Sequence, residues 1–121
     1  MVRAGGLEVA LLRTTGRAAE ARQRLAYWRG VDPTYALLRV ESDALGQPDE
    51  KLWAHLGADP ERVLEVVVEY LELGLYQDAL ALLERRYPAP GELETEPGAA
   101  LPQDYPLVSY YRGYAKELSG G

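Results

Sequence analysis

The chain has 121 residues, enough for one domain or a piece of a longer array, and its 47% hydrophobic and 26% charged content excludes global disorder. A net charge of −6 with a pI near 4.8 disfavours phosphate backbones, so nucleic acid is not an expected partner. With no cysteine there are no disulfides, thiolate metal sites or thiol nucleophiles, and no stretch approaches the roughly 18 apolar residues of a membrane span.

Apolar residues at Leu7, Ala10, Leu11 and Leu12 predict a first helix over 7–14, broken by Gly16. Ala18, Ala21, Leu25 and Trp28 fall on one face of a second, over 18–29. Gly30 is placed to cap it, and Asp32-Pro33 ends it while opening the next. A third helix over 35–45 carries Tyr35, Leu38, Ser42 and Leu45 on one side, with Ala36, Leu37 and Val40 widening the stripe. Gly46-Gln47-Pro48-Asp49 is a turn. A short fourth helix over 49–56 has Leu52, Trp53 and Leu56 as anchors and Gly57 as its cap.

Asp59-Pro60-Glu61 repeats the Asp-Pro start and opens the most hydrophobic helix, over 62–73. Its valines 66–68 alone favour a strand, since β-branching suits a sheet. Twelve residues without a turn signal, closed by Gly74, predict instead a helix buried on more than one side. Its partner runs over 75–86, with Ala79, Leu80, Leu82 and Leu83 inward. Residues 88–105 hold four prolines, two glycines and three glutamates before Tyr105 and read as an acidic, semi-extended loop without a core of its own. A last helix over 107–118 carries Tyr110, Tyr111 and Tyr114. With nine tyrosines and no phenylalanine, tyrosine supplies much of the aromatic packing.

Little in this chain points to chemistry. His55 is the only histidine, with no second histidine, cysteine or carboxylate motif spaced to serve it as a base. Glu65, Glu69 and Glu72 lie at helical spacing and read as a solvated acidic face. The arginines between Arg13 and Arg29 read likewise as a solvated surface. No glycine pattern fits a nucleotide loop. The expectation is a non-enzyme with no cofactor and no metal, in the cytoplasm, since no signal peptide is visible in Met1–Gly6.

Gly16, Gly46 and Gly74 recur at spacings of 30 and 28 residues, each between helical patterns, with Pro33, Pro60, Pro88 and Pro106 at the boundaries between units. In the third unit Tyr70, Gly74, Tyr76 and Ala79, and in the first Gly16, Ala21, Leu25 and Pro33, resemble the pattern of the tetratricopeptide repeat. The likeness is to the divergent repeats of larger bacterial proteins. The second unit departs from it, with Pro48 and Lys51 where tyrosine and alanine are expected, and Val67 stands at the third unit's small-residue position.

The resemblance implies an all-α, right-handed superhelix of seven helices in about three and a half repeats: residues 5–32, 33–59, 60–87 and 106–121, with the loop at 88–105. A non-repetitive helical bundle is the other all-α reading. The resemblance further implies a non-catalytic protein or peptide scaffold. Its groove positions carry over to Ala10 and Arg13, to Val40 and Asp43, to Leu64, Val68 and Glu72, and to Tyr110 and Tyr114. The family's clamp for a C-terminal carboxylate is missing, since its first-unit positions fall on Gly6 and Ala10.

A second expectation concerns the last helix, which lacks the partner that would complete its repeat. Leu107, Tyr110, Tyr111 and Leu118 on it form an apolar patch suited to self-association as a homodimer, unless a following domain or the loop covers it. The alternative function is a structural domain packed beside other domains of a larger protein, with no free ligand.

Overall fold

A computed structural model of the protein describes residues 2–48, 51–88, 98, 101 and 106–120. The described residues form seven α-helices and no strand, so the fold is all-α: α1 (Val2–Thr14), α2 (Ala18–Val31), α3 (Ala36–Ala44), α4 (Leu52–Gly57), α5 (Pro60–Glu72), α6 (Tyr76–Glu84) and α7 (Pro106–Leu118). They divide into two compact units, Met1–Glu50 and Lys51–Gly121. The division falls inside the second expected repeat and leaves α3 with the first hairpin and α4 with the second. The expected loop at 88–105 lies outside the described residues except for Pro88, Gly98 and Leu101.

In the first unit α1 and α2 form a hairpin, and α3 packs against both. Val9, Ala21, Leu25, Leu38 and Leu45 make the core, with Leu12, Ala18, Trp28 and Tyr35 around it. Helix α1 begins five residues before its predicted start and runs through Gly5-Gly6. A Cβ at Gly5 would overlap the Trp28 indole, and one at Gly6 would stand 2.8 Å from Leu37 Cδ2. These glycines therefore let α2 and α3 close on α1, at some cost in helix propensity. Gly30 does not cap α2: the helix continues through it to Val31, and the Asp32 N–H closes the last turn on the Trp28 carbonyl.

In the second unit α4 packs on α5, α5 and α6 form a hairpin, and α7 packs against both of its members. Pro60 opens α5 at its first turn, where its missing N–H has no partner to lose. Val63, Leu64, Val66, Val67 and Tyr70 are all buried, so the valine run is accommodated as a helix surrounded on several sides. Gly57 is the last residue of α4 rather than a left-handed cap. A Cβ there would stand 2.6 Å from that of Tyr87, so the glycine serves close approach.

Gly16, Gly46 and Gly74 share one device. Each has φ near +80°, and at each the following residue's N–H bonds the carbonyl five residues back: Arg17 to Leu12, Gln47 to Ser42, Leu75 to Tyr70. The glycine N–H bonds the carbonyl three back, completing a Schellman turn. The spacing read from the sequence is thus a repeated helix stop with a single hydrogen-bond pattern.

Candidate functional site

Helix α7 is amphipathic, with Val108 and Ala115 fully buried seven residues apart. Two polar contacts fix it on α6. The Arg112 guanidinium donates to the Leu83 carbonyl at 3.1 Å, satisfying an acceptor at the end of α6, and Lys116 pairs with Glu84 at 3.3 Å. The opposite side faces solvent. Leu107, Tyr110 and Tyr114 are 48%, 61% and 43% exposed, a continuous stripe at i, i+3, i+7. The Tyr110 and Tyr114 rings lie nearly parallel, 13° apart with centroids at 6.2 Å, and Tyr111 meets Tyr110 edge-on at 5.1 Å. The result is an ordered aromatic strip: large, stiff side chains presenting apolar area with few rotamers left to freeze.

The remaining sites predicted from the sequence fall in different settings. Tyr111 and Leu118 are half-buried, so the exposed patch is Leu107, Tyr110 and Tyr114 rather than the expected four residues. Val40 and Leu64 are buried, 7% and 5% exposed, and Ala10 is fully buried; these are packing residues and offer a ligand almost nothing. Asp43 and Val68 are partly exposed and Glu72 is exposed.

Arg13 is committed elsewhere. Its Nε and Nη2 donate to the two carboxylate oxygens of Glu41 at 2.7 and 2.9 Å, a bidentate pair joining α1 to α3. Glu41 is fully buried and Arg13 17% exposed, so the pair sits at the margin of the core. The sequence offered no signal for it, because the partners are 28 residues apart and belong to different helices.

Glu69 departs from the solvated acidic face expected of it: it is 9% exposed, turned inward, while Glu65 and Glu72 face water. His55 is exposed on α4. Among the described residues no three or more His, Asp or Glu side chains gather as metal ligands, and no helix is long and apolar enough to cross a membrane.

Two features went unread at the level of sequence. The first is a cluster behind α4, where the Arg85 guanidinium lies 3.6 Å over the Trp53 ring and Tyr87 packs against Trp53 at 6.0 Å. The Tyr87 hydroxyl donates to the Leu82 carbonyl at 2.6 Å, and burial pushes its pKa well above the ordinary tyrosine range, against the opposing pull of Arg85. The second is Gly113, between the exposed tyrosines of α7, whose signal was a glycine inside a helical pattern. No protein-family model, curated protein or solved structure matches this chain.

Proposed function

We propose that the chain is a non-catalytic interaction scaffold built of tetratricopeptide-like hairpins, which binds a protein or peptide segment through the aromatic strip of α7. The strip carries the reading: Leu107, Tyr110 and Tyr114 stand exposed on a helix whose other face buries Val108 and Ala115. The fold contributes no reason for three large apolar side chains to face water together, and such patches mark interaction sites. Support for the repeat character comes from the three matching turns at Gly16, Gly46 and Gly74. In both units, moreover, a hairpin is followed by a helix packed on both its members.

The burial of Val40 and Leu64 favours a second reading, a structural domain whose expected groove positions serve packing alone. Selection from a displayed random-peptide library separates the two. The scaffold reading expects enriched peptides whose binding is lost in Tyr110→Ser and Tyr114→Ser proteins that keep the native helical spectrum. Failure to enrich any peptide, or binding indifferent to both substitutions, overturns it.

A further inference from the structure

Gly113 sits in the middle of α7, exposed, with ordinary helical backbone and no described atom within 4 Å of where a Cβ would stand. It therefore differs from Gly5, Gly6 and Gly57, where a neighbouring side chain forbids a Cβ, and from Gly16, Gly46 and Gly74, where the backbone is left-handed. Nothing among the described residues asks for a glycine at 113, and a glycine there weakens the helix relative to alanine. What it provides is a gap. Tyr110, Gly113, Tyr114 and Glu117 stand at i, i+3, i+4 and i+7, all exposed, the four corners that bound a hole in helix–helix packing. The floor of that hole is open because residue 113 has no side chain.

We infer that this hole receives Tyr110 of a second copy of the chain, in a two-fold pair of antiparallel α7 helices; the inference rests on the reading of α7 as an interaction face and names its partner. Knob and hole lie on the same helix, so one two-fold axis fills both holes at once, as a self-complementary interface requires. The Glu117 carboxylate on the rim accepts from the incoming tyrosine hydroxyl, which keeps that hydroxyl satisfied as the ring is covered.

Charge also favours this helix. In the second unit α5 carries four glutamates against Arg62 and α6 carries Asp78 and Glu84, whereas α7 sets Arg112 and Lys116 against Glu117. Two copies meeting at α7 avoid the acid-on-acid contact that α5 or α6 would impose. The three large exposed side chains offer on the order of 300 Å² per copy, against roughly 800 Å² per partner in a standard stable interface. The pair is accordingly a reversible one that populates with concentration.

Sedimentation equilibrium across about a hundredfold concentration range tests this, since mass action must appear in the average mass. The expected result is a rise from 13.4 kDa toward twice that value, with no larger species. Gly113→Leu fills the hole while favouring the helix, so it stays at the monomer mass throughout and melts no lower than the parent. Tyr110→Ser, which removes the knob, behaves as a monomer too. A parent that remains monomeric, growth beyond the dimer, or a Gly113→Leu protein that associates like the parent each overturns the inference. Should the parent be monomeric while selected peptides still depend on Tyr110 and Tyr114, the pairing is wrong and the interaction reading stands. If peptide selection is silent as well, both fail.

Discussion

Glu41 shows how one residue can hold a unit together and still be unreadable in advance. Its carboxylate is fully buried and its two oxygens meet the Arg13 fork, so removing the arginine takes a bidentate partner from a charge in the core. Arg13→Met is expected to cost about 3–5 kcal/mol in urea denaturation, whereas the double change Arg13→Met, Glu41→Leu should recover most of it. Tyr87 makes a parallel case in the second unit. Tyr87→Phe, which leaves the buried Leu82 carbonyl without its donor, should cost about 1 kcal/mol at neutral pH.

The same tyrosine gives a pH dependence of definite sign. Its folded pKa lies above its unfolded value of 10.0, so the unfolded chain loses the proton first. The stability Tyr87 contributes is present below pH 10.0 and declines as pH rises above it. Thermal melts taken between neutral pH and pH 11 should show a steeper alkaline decline in the parent than in Tyr87→Phe. Arg13 was visible in the sequence as a charged point on a helix, and Tyr87 as one aromatic among nine. Their partners were not visible, because each depends on which distant segment the fold brings alongside.

At the scale of the helix, local chemistry decides more. Gly16, Gly46 and Gly74 were legible as stops because the left-handed turn is written in three or four consecutive residues. Substituting any of them by alanine should cost about 1 kcal/mol, although no neighbour crowds a Cβ at any of the three, since the conformation itself is strained for a side chain. Gly30 has equally open surroundings but lies within α2, so Gly30→Ala should raise stability by about 0.5–1 kcal/mol. Chemical denaturation of the four variants checks both signs, and any left-handed position that tolerates alanine freely refutes the argument. Three of the misread glycines share one cause. Gly5-Gly6 and Gly57 look like breakers, yet each lies within a helix because another segment packs where a Cβ would be. A residue chosen for what touches it from elsewhere reads, locally, as a flaw.

Across the whole molecule charge is unevenly shared. The first unit balances seven arginines with seven carboxylates, so the entire net charge of −6 resides in the second. Repulsion between copies should vanish as pH falls toward the pI near 4.8, and turbidity at fixed concentration should peak there and fall again at more acid pH. A turbidity profile without a maximum near that pH would mean that charge does not govern the protein's solubility. The sequence by itself determined the all-α class, the seven helices and the repeated glycine stops, because helical periodicity and turn chemistry act over a few neighbouring residues. Only the tertiary structure decided that Val40 and Leu64 are covered, that Arg13 is bound to Glu41, and that Tyr110 and Tyr114 flank an open glycine on a solvent-facing strip. Those outcomes depend on which helix faces meet, and packing between segments distant in sequence is not encoded in any one of them alone.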